Sequence, residues 1–398
     1  MLARKVLNLP PSATEAVDNQ VKTMRRQGID DIVSLGVGEP CFETPENIRR
    51  AAMQGLERGN TRYQPTAGDF GLREAIADKL KKENRIDARV EDIVVTAGGK
   101  FAIFLAFQAV LEPGDTILLV DPCWVSYEPA AVLAGAKVVR VPTDAARGFQ
   151  PDLDRIAAHM DGTVKMVVVN SPCNPTGAVF SPDDLRRIAE LAQSNGSLLV
   201  SDEVYEYQCY GTAVHYSPAA EFDNVITVNA FSKSFAMTGW RLGYAVAPGE
   251  VIQGMLKIYQ HSTSCVTAFA QDGALEALKG KESQKAAMDM RRGYADRREL
   301  MIDLINACEH LSLPTAPWGA FYCFPSFSAK MSSVEMAQRL LKDVHVATVP
   351  GAAFGECGEG HLRLSYASTT AEIQEAFRRI NAFFASCGDE STPSIPRG

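Results

Sequence analysis

Five short runs of this chain are apolar from end to end, and each finishes at a residue able to do chemistry. They are Asp92-IVVT-Ala97, Thr116-ILLVDP-Cys123, Lys165-MVVVNSP-Cys173, Ser197-LLVSDE-Val204 and Asn224-VITVNAFS-Lys233. Unbroken apolarity, as opposed to alternation, marks strands buried on both faces, as in a mostly parallel sheet covered by helices. Helical segments lie between them, for example Asp183 to Ser194, preceded by Ser181-Pro182 as cap and first-turn proline. The regular pattern begins near residue 45. Near 285 it gives way to a charged helical stretch, Met288 to Cys308, then to short strands around Gly319–Phe324 and His361–Tyr366 and a helix from Ala371 to Ala385. The expected fold is therefore α/β: a large domain over 45–285 with a mostly parallel central sheet, and a smaller α+β domain. The smaller domain takes 286–388 together with 1–44, where a helix is expected from Ala13 to Gln27. Residues 389–398, rich in Pro, Ser and charge, read as a disordered tail.

Composition narrows the class. With 398 residues, 46% hydrophobic and 22% charged, the chain has the material for a large soluble core. A net charge of −8 and scattered basic residues argue against nucleic acid and anionic membrane as partners. Nine cysteines, odd in number and without a C-x-x-C pair, fit neither a disulfide framework nor a zinc site, and the six histidines are dispersed, so no metal is expected. No secretory leader and no membrane-spanning run is visible, which points to the cytoplasm.

Ligands of open α/β sheets bind beyond the carboxyl ends of the strands. In the order of the runs, those ends carry Gly98-Gly99-Lys100, Trp124, Asn174-Pro175-Thr176-Gly177, Asp202 with Tyr205, and Ser232-Lys233, with Arg241 eight residues on. The small-residue turn Ala97 to Gly99 opens a helix and offers amide N–H groups to a phosphate, to which Ser232 and Arg241 add a hydroxyl and a bidentate fork. Trp124 presents a flat face for a planar ring. Asp202, ending a buried strand, needs a cationic partner such as a protonated pyridine nitrogen. Asn174 and Tyr205 can donate to a phenolate oxygen, and Lys233 supplies an amine for an imine. Each residue also has a plain structural reading: Lys233 as a solvated side chain, Asp202-Glu203 as a helix cap, Trp124 as core, Tyr63 as a turn residue. Arg363, between Leu362 and Leu364, is awkward as core without an anion.

NSPCNPTG, SDEVYE, SKSFAMTGWRLGY and GHLRLSYA resemble the signature segments of class I aminotransferases, the fold-type I pyridoxal phosphate enzymes. The likeness runs from SLGVGEPCFETPENI to the last helix. Through PSAT at 11–14, GGK at 98–100 and WVSY at 124–127 it is nearest to the branch of bacterial aspartate and prephenate aminotransferases. The resemblance implies that pyridoxal 5′-phosphate is held as a Schiff base on Lys233, which then shuttles the proton. Asp202 would hold the pyridine nitrogen, Asn174 and Tyr205 the phenolate oxygen, and Trp124 the ring face. Gly99, Lys100 through its backbone, Ser232 and Arg241 would hold the phosphate. Tyr63, in TRYQPTAG, resembles the tyrosine that reaches the phosphate of the neighbouring subunit, which implies a homodimer with shared sites. Arg363 matches the arginine for the substrate α-carboxylate, helped by the Gly38 backbone, while Lys100 and Thr14 resemble the pair that reads a distal carboxylate. An acidic amino acid such as aspartate and a 2-oxo acid are the expected substrates, exchanged in a ping-pong reaction. Two departures from the branch, Cys41 for Asp and Phe101 for Gln, leave room for an altered pocket that takes aromatic or specialised amino acids.

Other classes fit less well. A Walker loop would need Gly at Val94 and Ser or Thr at Phe101, the segment Gly36-Val-Gly38-Glu-Pro-Cys41 lacks the third glycine of a dinucleotide fingerprint, and no G-x-S-x-G elbow occurs. A sensor domain without catalysis would not need Lys233 and Arg363. Beta-lyases, cyclases and oxidases of the same fold remain as alternatives, because they share the cofactor residues.

Overall fold

A computed structural model describes residues 2–7 and 9–387 of the chain. The tail expected over 389–398 lies outside the described residues.

Eight strands define the first two thirds of the chain: β1 (Val33–Ser34), β2 (Ile93–Thr96), β3 (Thr116–Asp121), β4 (Lys137–Pro142), β5 (Val164–Asn170), β6 (Leu198–Asp202), β7 (Val225–Ala230) and β8 (Gly243–Val246). All but β1 form one sheet in the order β2-β8-β7-β6-β5-β3-β4. The five runs expected from the sequence are all present, and two strands join them. β4 escaped notice because Lys137 and Arg140 interrupt its apolar pattern, and β8 because GYAV opens on a glycine and holds a single β-branched residue. β8 is also the only strand of this sheet that runs against its neighbours, pairing antiparallel with both β2 and β7.

The reversal has a geometric consequence. Gly243, the first residue of β8, pairs with Thr96 and Ala230, the last residues or nearly so of β2 and β7. The segment entering β8 therefore lies at the carboxyl edge of the other six strands, and that segment carries Arg241. Gly243 also touches the start of the helix Gly99–Val110: a Cβ there would stand 2.6 Å from the Gly99 amide nitrogen and 2.7 Å from the Gly98 carbonyl carbon.

Helices cover both faces of the sheet. Pro182–Ser194 is capped as expected, with the Ser181 Oγ accepting from the Asp184 amide at 3.0 Å. One apolar cluster packs Ile48, Leu72 and Phe107 against Ile93, Val200 and Ile226, and a second, on Leu118, Val167 and Leu199, receives Ile156 and Ile188.

The rest of the chain gathers around a third cluster, in which Val33 and Leu35 join Tyr294, Met301, Leu340, Phe377 and Ile380. The long helix runs over Lys281–Ala307, starting seven residues earlier than its apolar pattern suggested, so residue 285 falls inside it. Short strands follow: β9 (Leu311–Ser312), β10 (Tyr322–Cys323), β11 (Ser326–Phe327), β12 (Val346–Ala347), β13 (Val349–Pro350) and β14 (Leu362–Ser365). β1 pairs in parallel with β12, while β14 lies antiparallel between β10 and β13. The Leu35 carbonyl accepts from the Ser365 amide at 2.7 Å, which ties the loop 36–39 to Arg363 and its strand.

Replacing Gly243 by Ala should force apart backbone that cannot yield cheaply. We expect a loss of about 1–3 kcal/mol of stability, typical of overpacking, read as a fall in the denaturation midpoint. An unchanged midpoint would show that the strand and the helix start are not in contact.

Candidate active site

One cleft of about 460 Å³ opens at the carboxyl edge of the sheet. Its lining includes every site residue expected from the sequence except Tyr63, which is 89% exposed and lies elsewhere on the surface.

At one end of the cleft the geometry suits an anion. Gly99 and Lys100 occupy the first turn of their helix, where amide N–H groups have no carbonyl partner within the helix. Gly98 precedes it at φ +83°, a backbone region that suits glycine, and a Cβ on it would stand 2.5 Å from the Arg241 guanidinium. Arg241 is oriented by bonds from Nη1 to the Thr238 carbonyl (2.8 Å) and from Nη2 to that of Ala97 (3.3 Å). Ser232 comes from the short helix Phe231–Ser234 that follows β7 and is buried.

The middle of the cleft is built on Asp202 and Trp124. Asp202 ends β6 opposite Asn170, the end of β5, and the Asn170 Nδ2 donates to the Asp202 carbonyl at 2.9 Å. The Asn170 Oδ1 accepts from the Asn174 amide at 2.8 Å, so a single side chain ties the Asn174 loop to Asp202. The Tyr127 hydroxyl donates to the Asp202 carboxylate at 2.6 Å, and the Tyr127 ring meets Trp124 edge-on at 5.4 Å. Burial pushes the Asp202 carboxyl up to about 6; the bonds from Tyr127 and Val204 oppose the rise and Glu203 adds to it. Asp202-Glu203 caps no helix. Glu203 turns behind the cleft instead, where its carboxylate accepts from Ser201 (2.8 Å) and Ser217 (2.6 Å) and meets His215 Nε2 at 3.0 Å; the neighbouring Glu206 pairs with Lys79.

Lys233 reaches the floor of the cleft, where its Nζ donates to the Gly38 carbonyl at 2.7 Å. Loss of hydration pulls its ammonium down to about 8; Arg363 and Arg241 act in the same direction, and Glu39 and Asp202 against it. An amine so placed is uncharged at a far lower pH than a solvated lysine.

Arg363 is 2% exposed on β14. Its Nη1 donates to the Asn174 Oδ1 at 2.9 Å and its Nη2 to the Gly36 carbonyl at 2.7 Å, while its Nε has no partner. The guanidinium lies against the rings of Tyr322 (4.5 Å) and Phe354 (5.0 Å), and burial holds its pKa below the usual value. Among the described residues no carboxylate pairs with it, so this buried cation is made ready for an anion from outside. Tyr205 stands beside it, its hydroxyl 2.9 Å from that of Tyr322. Because Asn174 spends its oxygen on Arg363, its amide hydrogens remain for another acceptor.

At the mouth, the Lys100 ammonium sits 5.4 Å over the Trp124 ring and 3.5 Å from the Glu15 carboxylate. Thr14, Glu15 and Asp18 reach this end from the helix Ala13–Arg26. Neither Cys41 nor Phe101 lines the cleft. Cys41 is exposed and accepts from Arg297 Nη1 at 2.8 Å, and Phe101 packs on Tyr259 and Phe104, so these two departures do not reshape the pocket directly. Cys173 is buried, its thiol pushed up to about 11, which leaves it inert at neutral pH.

The sequence reading passed over Asn170, Tyr127, Tyr322, Glu15, Asp18 and Glu39. Tyr127 carried a faint signal, since it follows Trp124 by three residues; Tyr322 carried none. The set fits pyridoxal phosphate on the chemistry of its donors: an anion corner, a carboxylate in want of a cation, amide and phenol donors, and a half-buried amine of lowered pKa.

The family model described as aminotransferase class I and II matches residues 30–380. A probable aspartate/prephenate aminotransferase of Aquifex aeolicus is 42% identical over 387 residues, covering 95% of this chain and 97% of its own. An aromatic-amino-acid aminotransferase of Thermococcus litoralis is 41% identical over 89% of this chain and 92% of its own. The solved structure of Thermus thermophilus aspartate aminotransferase with maleate superposes with a TM-score of 0.92 at 41% identity, covering 96% of this chain and 99% of that one.

Tyr127→Phe should raise the Asp202 carboxyl further, because the lost hydrogen bond favoured the ionised form. In the cofactor-free protein, carbon-13 NMR of labelled aspartate should show this carboxyl titrating above its parental midpoint near pH 6. An unmoved midpoint would remove Tyr127 from the account.

Proposed function

Because this chain belongs to the aminotransferase class I and II family, we propose that it moves an amino group between an acidic amino acid, aspartate foremost, and a 2-oxo acid, working as a cytoplasmic homodimer with shared sites. Its activity is that of a pyridoxal phosphate-dependent aminotransferase. The observation that carries the residue assignments is the pairing of a half-buried amine of lowered pKa at Lys233 with a buried, carboxylate-free guanidinium at Arg363 in one cleft.

When bound, pyridoxal phosphate supplies an aldehyde carbon that joins the amine and a ring that takes up the electrons of the broken Cα–H bond. The chain's own residues divide the remaining work. Gly99 and Lys100 amides, the Ser232 hydroxyl and Arg241 hold the phosphate; Trp124 covers the ring face. Asp202, ionised above about pH 6, keeps a proton on the ring nitrogen. Asn174, through its free Nδ2, and Tyr205 hold the phenolate oxygen. Arg363 receives the substrate α-carboxylate, with the Gly38 backbone beside it, and so sets the Cα–H bond near Lys233. Lys233, once the substrate amine has taken its place on the aldehyde carbon, would be free and uncharged, would take the proton from Cα and would return it to the carbon that carried the aldehyde. Lys100 and Thr14 read a distal carboxylate; that the Thermus aspartate aminotransferase was solved with maleate, a dicarboxylate, supports an acidic substrate class.

Tyr63 reaches the phosphate of a second copy. Its exposure, with that of Met53, Leu56 and Phe70 in the same part of the chain, supports a covered face there. No helix among the described residues is long and apolar enough to cross a membrane.

Aspartate added to the loaded protein without a 2-oxo acid should yield one equivalent of oxaloacetate per site and convert the bound aldehyde absorbance to that of the amine form, with no ammonia. Sustained release of pyruvate and ammonia would instead mark a lyase. Covalent capture of pyridoxal phosphate by the cofactor-free protein should quicken as pH rises through 8, where half of the Lys233 amine is uncharged, and level roughly one to two units above that as the uncharged fraction saturates. The check is rapid-mixing absorbance with borohydride trapping. A rate still climbing beyond pH 10, or trapping that survives Lys233→Ala, would place the amine elsewhere.

A further inference from the structure

We propose that Glu15 is a built-in counter-ion for Lys100 and sets the balance between acidic and uncharged amino acids in the single cleft. The inference rests on the reading of Lys100 as the group that meets a distal carboxylate. Glu15 lies on the helix Ala13–Arg26 beside Thr14, and its Oε1 stands 3.5 Å from the Lys100 Nζ. Asp18, one turn further along the same face, is paired with Lys22 at 2.5 Å, so Glu15 is the carboxylate of this helix that answers Lys100.

The two side chains keep 49% and 68% of their exposure. An ion pair so wet is weakly held and readily exchanged. A substrate carboxylate arriving at Lys100 presents the same charge and geometry as Glu15 and displaces it towards solvent. An uncharged side chain makes no such exchange, and Glu15 stays to neutralise the ammonium that would otherwise face an apolar group over the Trp124 ring.

An aminotransferase needs such a device because its donor and its acceptor occupy the same cleft in turn and need not carry the same side-chain charge. Glu15 lowers the affinity for dicarboxylates, which must compete with it, and raises the tolerance for neutral side chains. It acts on binding, away from Lys233, so its influence falls on KM and leaves kcat nearly alone.

The test is a cycle of Glu15→Gln, Lys100→Ala and the double variant, each loaded with cofactor and assayed with aspartate, alanine and phenylalanine. Glu15→Gln should raise the kcat/KM ratio of aspartate to alanine by roughly threefold, the weight of a part-exposed ion pair, through a lower KM for aspartate. In the Lys100→Ala background the same change should have no effect on the ratio. Equal changes for aspartate and alanine, or a ratio change that persists without Lys100, would overturn the role of Glu15. Should Lys100→Ala cost aspartate no more than alanine, the underlying reading of Lys100 fails, and the Glu15 proposal with it. That outcome is told apart from failure of Glu15 alone by the Lys100→Ala single variant.

Discussion

Three ionisable groups, two of them buried and the third half-buried, share one cleft without neutralising one another, and the architecture is arranged to hold them there. Asp202 is bonded by Tyr127, Lys233 by the Gly38 carbonyl and Arg363 by Asn174 and Gly36, so none meets its opposite charge directly. Keeping the Lys233 amine charged there instead of in water is disfavoured by on the order of 3 kcal/mol, given its fall from 10.5 to about 8. Such a site opposes folding and is retained because a bound molecule can satisfy all three groups together. What each lacks is complementary: the carboxylate wants a cation, the amine an electrophile, the guanidinium an anion.

Topology brings the three together. Because β5, β6 and β7 run in parallel, their last residues fall on one edge, which places Asn170, Asp202 and the Ser232-Lys233 turn side by side. The reversed strand β8 adds Arg241 to the same edge from the opposite chain direction. Arg363 arrives by another route, on a three-stranded sheet tied to the 36–39 loop, so the guanidinium and the Gly38 carbonyl that steadies Lys233 belong to one supporting unit. A shift of that unit against the large sheet would move the Arg363 guanidinium and the carbonyl that steadies Lys233 together, while the Lys233 backbone stayed with the sheet.

Much of this was legible in the amino-acid order because it depends on local rules. Apolar runs ending in Asp202, Asn174 and Lys233 announce buried strands with polar tips, and the Gly98-Gly99 turn announces a helix start open to an anion. What escaped has physical causes. β4 is interrupted by Lys137 and Arg140; β8, GYAV, opens on a glycine and holds a single β-branched residue, unlike IVVT of β2. Tyr322 lies 117 residues from Tyr205 and 41 from Arg363, and only the tertiary fold makes them neighbours. Asn170 was hidden by its ordinariness, a single amide at a strand end. Cys41 and Phe101 drew notice as departures from a family pattern, yet both side chains face away from the cleft, since pattern alone does not say which way a residue points.

The cleft is graded from floor to mouth, and the grading separates chemistry from selectivity. At the floor the groups are largely buried, bonded to backbone, amide or phenol partners and shifted in pKa, so a change there alters charge states and stability together. At the mouth Lys100 and Glu15 are half exposed and joined by a weak pair, so a change there costs little fold stability and, on the proposed reading of Lys100, acts on which side chain is admitted. A helix near the start of the chain supplies Thr14, Glu15 and Asp18 to that mouth, and its inner face is held only by Val21 and a few partly buried neighbours. On that reading, substitution on this helix would shift the substrate range while the sheet edge stays as it is.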